Sequence, residues 1–203
     1  MQTVLRLSRA DEGRRLSLQD FESGRYQAGR HYELVSGRFR SRPWKSPLHD
    51  WFRAWLYNST QHFEKRRPGD FGLQTTFGGL ILPREVCRAS YLCPDVTMYL
   101  KFPFHLPIAE VTWAQLQPSI IAEILCPEFS AKLVYRKARI YRSLPSLKEL
   151  WILDARKDPM KPTLVVRHRR RSRWLKRDYQ FGETYTSKLI PGYSLLIDPR
   201  REP

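Results

Sequence analysis

A single carboxylate, Glu123, stands in the middle of one apolar run, and a single lysine, Lys137, stands in the middle of the apolar stripe that follows it. The run IIAEIL at 120–125 is bounded by Pro118 and Pro127 and has the length of a buried strand. With a period of two, Ile121, Glu123 and Leu125 share one face, and Ile120, Ala122 and Ile124 share the other. A carboxylate in such a strand is too costly to keep ionised alone. It needs a metal, a cation, a proton or an opening to water.

After Pro127 the period changes to that of a helix. Ser130 can act as its cap, and Leu133, Val134, Ile140, Tyr141 and Leu144 recur at three-and-four spacing. Lys137 lies on that inward stripe, while Lys132, Arg136, Arg139 and Arg142 lie on the opposite face. An inward lysine after an inward carboxylate fits one shared site. It also fits a structural Glu–Lys pair, or a lysine that snorkels to the helix edge. Two further acids stand on extended segments. Glu33 reads as a solvated strand carboxylate, and Asp95, after Pro94, as a turn aspartate held at a local irregularity.

These residues must be held by a globular scaffold. The 203 residues, with 41% hydrophobic and 13% aromatic side chains, can enclose a sizeable core. Residues 1–16 read as an N-terminal polar tail and 17–203 as a single domain. SLQDF at 17–21 predicts a short helix capped by Ser17, and HYELVSGRFR at 31–40 a hairpin turning at Ser36-Gly37. Ser46-Pro47 starts a long amphipathic helix over 47–65 whose aromatic stripe reads as core. The segment 71–101 is extended, and strands are expected over 147–154, within 162–180, and at 184–189 and 193–198.

The net charge of +16 favours polyanions, with nucleic acid before acidic membrane surface. Between Arg156 and Arg177 ten Lys/Arg face one acid, Asp158, so more than half of the net charge falls in this short stretch. Arg167, Arg169, Arg170, Arg171, Arg173, Lys176 and Arg177, with Trp174 and Tyr179, therefore read as a phosphate-contacting hairpin. Three cysteines without CxxC spacing (Cys87, Cys93, Cys126) and scattered histidines propose neither a disulfide framework nor a zinc site. No apolar run approaches the ~20 residues of a membrane helix. A soluble, cytoplasmic protein is expected.

The ordered segments HYELVSGRF (31–39), SPLHDWF (46–52), CPDVTMYL (93–100), IIAEILCP (120–127), KARIYRSLPSLKELWILD (137–154) and IPGYSLLI (190–197) resemble the PD-(D/E)XK nuclease superfamily. More narrowly, they resemble its Uma-type family of restriction endonucleases. The resemblance implies an α/β restriction-endonuclease-like fold, with a central mixed sheet flanked by helices and extra C-terminal β-hairpins. It implies a Mg2+- (or Mn2+-) dependent DNA endonuclease, and homodimerisation. Asp95 and Glu123 become the acidic pair that holds the metal. The superfamily's usual lysine position is Leu125 here, and Lys137 takes its place from the following helix. Glu33 matches a family glutamate near the site.

The chemistry suits these residue types. Phosphodiester hydrolysis needs charge neutralised on the phosphoryl oxygens and a water made nucleophilic. A partly desolvated lysine can orient that water or stabilise the pentavalent state. Departures from the family pattern are Cys126-Pro127-Glu128 for Ser-Pro-Ser, Leu133 for an aspartate and Arg38 for a glutamate. They leave the acid–acid–lysine core in place. They also make room for an alternative, a catalytically weakened nuclease fold that persists as a basic nucleic-acid-binding module.

Overall fold

The structure is a computed structural model that describes residues 5–43, 46–67, 72–76, 78–82, 90–103, 105–111 and 115–201. Its elements begin with β1 (Arg6–Leu7), α1 (Leu18–Glu22), β2 (Arg25–Tyr26), β3 (Arg30–Val35), β4 (Arg38–Pro43) and α2 (Pro47–Arg66). Then come β5 (Leu73–Thr76), β6 (Leu80–Leu82), β7 (Ser90–Leu92), β8 (Val96–Tyr99), β9 (Ile120–Leu125) and α3 (Ala131–Tyr141). The chain closes with β10 (Glu149–Asp154), β11 (Thr163–Arg170), β12 (Arg173–Tyr179), β13 (Thr184–Thr186) and β14 (Ser194–Leu196). Contacts divide it into two compact units, Met1–Ser46 with Gly79–Cys93, and Pro47–Gly78 with Pro94–Pro203.

In the first unit, Ser17 and Asp20 cap α1 reciprocally, each side chain bonding the other's backbone N–H. The β3–β4 turn takes the left-handed region at both central residues, Ser36 (φ 53°) and Gly37 (φ 73°). That matches the right-handed twist of the two strands it joins. These strands lead a sheet of order β4-β3-β7-β6. Leu34 and Phe39 pack with Phe21, and also with Leu7 and Leu16 from the stretch expected to be a polar tail. The apolar residues of that stretch lie among its arginines, which hides them from a composition-based reading.

The second unit is built on a six-stranded sheet of order β12-β11-β10-β9-β8-β5. Only the central pair, β9 and β10, is parallel; the other neighbours are antiparallel. Parallel strands need a crossover, and α3 supplies it. The α2 residues Phe52, Trp55, Leu56 and Phe63 pack with Ile120, Ala122 and Ile124 of β9 and with Trp151 and Leu153 of β10. The stripe expected of this helix is core, except that Trp51 stays 40% exposed. The hairpin of β13 and β14 adds Tyr185 and Leu195 to the same core. This is the mixed sheet with flanking helices and C-terminal hairpins that the sequence leads one to expect.

Among the described residues no helix is long and apolar enough to cross a membrane. Cys93 is half-buried and Cys126 is buried, and Cys87 lies outside the described residues.

Candidate active site

The α2 core takes Ile120, Ala122 and Ile124, so the period of two turns Glu123 to the opposite side of β9. There the inward stripe of α3 meets it. Lys137 Nζ lies 2.6 Å from Glu123 Oε1, and the Tyr141 hydroxyl donates to the same oxygen at 2.7 Å. Lys137 does not snorkel: its side chain is 0% exposed and that of Glu123 is 1% exposed. The other carboxylate oxygen, Glu123 Oε2, is buried without a hydrogen-bond partner.

Asp95 lies one residue before β8, at the bend where the ladder with β9 ends. The last pair is Val96 with Ala122, and one further step of that register sets Asp95 across from Glu123. Its Oδ2 accepts the Ile124 backbone N–H at 2.7 Å, so this carboxylate is fixed to the residue next to Glu123. His49, near the start of α2, places Nε2 at 3.1 Å from the same Oδ2. A carboxylate oxygen only accepts, so the ring donates from Nε2. The edge of Phe129 packs against that ring at 5.5 Å between centroids. His49 and Asp95 are both fully buried.

The reading of Asp95 as a plain turn aspartate therefore undercounts its bonds, and Glu33 is corrected more strongly. Glu33 is not solvated: it is fully buried in the first unit, with Oε2 at 2.5 Å from Arg42 and Oε1 accepting the Cys93 N–H at 2.8 Å. Leu125, which the resemblance sets at the usual lysine position, is buried.

Two residues of this site escaped the sequence reading. His49 was legible in principle, because it lies three before Phe52 and seven before Leu56, on the inward face of α2. Tyr141 was assigned to the right stripe as an apolar residue, and its hydroxyl carries the signal that was missed. Buried tyrosine hydroxyls find partners.

The arginine-rich hairpin divides by role. Arg169 extends its guanidinium to the carbonyls of Arg142 (2.6 Å) and Leu144 (2.7 Å), the chain's exit from α3, and lies over the Trp174 ring at 4.9 Å. Lys176 pairs with Asp178 at 2.6 Å, Arg177 covers the Tyr179 ring at 4.7 Å, and Tyr179 itself is core. Arg170, Arg171 and Arg173 stand exposed at the tip, where Arg171 takes a left-handed φ of 56°. Arg167 turns toward α3.

The family model described as "Uma2: Putative restriction endonuclease" matches residues 18–198. No curated protein matches the chain.

Proposed function

The chain belongs to the Uma2 family of putative restriction endonucleases, and on that premise we propose that it is a divalent-metal-dependent DNA endonuclease using Asp95, Glu123 and Lys137. The observation that carries the reading is the 2.6 Å contact of Lys137 Nζ with Glu123, one residue from the backbone N–H that holds Asp95.

The donor set fits a hard divalent ion such as Mg2+ or Mn2+. A buried polar atom left unbonded costs about 1–3 kcal/mol, and more when charged. Glu123 Oε2 is such an atom, and a metal would satisfy it. Magnesium is held by one or two carboxylates and keeps several waters, so Asp95 and Glu123 are sufficient anchors. No larger His/Cys/Asp/Glu cluster occurs among the described residues. The ion, when bound, neutralises phosphoryl charge and acidifies a water.

The protein's own groups hold the rest. His49 and the Ile124 N–H fix the Asp95 carboxylate, and Tyr141 fixes that of Glu123. The Lys137 ammonium orients the attacking water or bonds the phosphoryl oxygens as charge builds on them. Glu33, committed to Arg42 and Cys93, is read as structural. Arg170, Arg171 and Arg173 supply non-specific phosphate contacts at the hairpin tip.

A second reading is favoured by burial. Asp95, Glu123 and Lys137 are all closed to solvent, so a phosphodiester reaches them only if covering chain moves. A fold that never opens would bind nucleic acid without cutting it. Incubation of plasmid and linear DNA with the protein in Mg2+, Mn2+ or Ca2+ separates the two. Cleavage in Mg2+ or Mn2+, lost in EDTA and in Asp95→Ala and Glu123→Ala, supports the nuclease. Cleavage that survives EDTA or either variant rules this mechanism out, and binding without cleavage supports the second reading.

A further inference from the structure

The outer face of α3 carries a feature that the proposed chemistry does not use. Lys132, Arg136 and Arg139 follow one another at four and three residues, and Arg142 continues the stripe just beyond the helix. With Arg167 of β11 they line a groove of about 560 Å3 whose wall also includes Tyr135. Among the described residues no carboxylate pairs with any of these five cations. The Arg142 Nε is buried without a hydrogen-bond partner. Burial, together with the charges of Arg167 and Arg139, holds the Arg142 guanidinium below its ordinary value.

Such an arrangement opposes folding. Like charges at three-and-four spacing repel across a helix face. The helix dipole accounts for cations at the C-terminal end, Arg139 and Arg142, but Lys132 sits in the first turn, where a cation is disfavoured. Solubility alone does not require five cations to converge on one concavity with no acid between them. An anionic partner would offset the repulsion.

We propose that this groove is a phosphate-binding track for a nucleic-acid backbone, lying on the side of α3 opposite to Glu123. Ten residues of helical rise, from position 132 to 142, cover about 15 Å. Measured along a duplex axis, that length spans roughly four base-pair steps at 3.4 Å of rise each. Guanidinium groups bind phosphate through paired N–H donors, which suits three arginines on one stripe better than a diffuse field would. The groove is concave and offers one exposed aromatic, Tyr135, so it lacks the apolar anchors of a membrane-surface helix. Only the choice of nucleic acid as the polyanion rests on the nuclease reading.

Arg136 lines the groove while its neighbour Lys137 turns inward and is buried, so the track separates affinity from chemistry. The test is binding of the full chain to a labelled 20-base-pair duplex, and to one of its strands, in EDTA from 50 to 300 mM salt. The parent is compared with Arg136→Gln/Arg139→Gln/Arg142→Gln and with a charge-matched control, Arg9→Gln/Arg15→Gln/Arg25→Gln, from the first unit. The groove variant should lose roughly 0.9 of log–log salt slope per phosphate contact on duplex, and about 0.7 on the single strand. Its thermal midpoint should stay at or above the parent's, since repulsion is removed. An unchanged slope, an equal loss in the control, or no binding by the parent at 50 mM salt would overturn the proposal. Loss of slope in a protein that never cleaves DNA would keep the track and discard the nuclease. Cleavage with an unchanged slope would do the reverse.

Discussion

Lys137 Nζ and Glu123 Oε1 meet at 2.6 Å, with both side chains buried from solvent. Removing two opposite charges from water costs several kcal/mol per ion, so the attraction between them alone is a weak reason for such a pair to exist. The Tyr141 hydroxyl adds a third bond to the same oxygen, while Oε2 is left open. A carboxylate satisfied on one side and unsatisfied on the other is what the proposed metal site would use.

Breaking the pair from one side should be costly. Lys137→Met leaves Glu123 buried without its cation, and the expected loss in urea unfolding is about 3–5 kcal/mol. Adding Glu123→Gln to Lys137→Met should recover much of that loss. A single variant that loses less than about 1 kcal/mol behaves like an exposed pair, which would contradict the burial.

Tyr141→Phe tests the third bond without creating a large void. Losing a hydrogen bond to a charged acceptor should cost about 1.5–3 kcal/mol of stability. Cleavage should fall, though less than in Glu123→Ala, because Lys137 still holds the carboxylate. Equal losses of activity in both variants would give Tyr141 a direct chemical role.

Arg169 and Arg170 are adjacent in sequence and differ in task. Arg169→Gln removes the bonds to the Arg142 and Leu144 carbonyls and should lower the thermal midpoint, with little change in the salt slope of DNA binding. Arg170→Gln, at the exposed tip, should do the opposite, with a slope reduced by roughly 0.9. Identical behaviour of the two would mean that the hairpin acts only as diffuse charge.

Glu149 provides a pH test away from the candidate site. Burial raises its pKa above the ordinary 4.5, against the lowering effects of the Tyr185 and Trp151 hydrogen bonds and the nearby His168. The folded state therefore holds this proton more tightly than the unfolded state does. Its contribution to stability is fully present below pH 4.5 and is lost as pH rises through the raised folded value. Glu149→Gln keeps an acceptor for Trp151 and Tyr185 and removes that loss. Urea midpoints of parent and variant should diverge in the variant's favour as pH rises above 4.5. Parallel curves would show that Glu149 is solvated in solution.

Much of the second unit was legible because its signals are local. A period of two around Glu123 and a period of 3.6 around Lys137 fix which way each side chain points, and strand followed by helix followed by strand makes them neighbours in space. The cap at Ser17, the helix start at Pro47 and the turn at Ser36-Gly37 are likewise written in adjacent residues. The buried part of residues 1–16 was not legible, because Leu7 and Leu16 are isolated among arginines and acquire a core only from Phe21, Leu34 and Phe39.

Sequence alone determined the face on which Glu123 and Lys137 lie, since strand and helix periods are properties of the local backbone. It could not determine partners that are brought together by packing of distant elements. His49 reaches Asp95 across 46 positions, and Arg169 closes the end of α3 from 27 positions beyond Arg142. Nor could it separate the arginines of one hairpin into a cap, a stack, a groove wall and a free tip. Charge is a property of residue type, but whether a charge is spent or available depends on which carbonyl, ring or carboxylate the tertiary fold sets beside it.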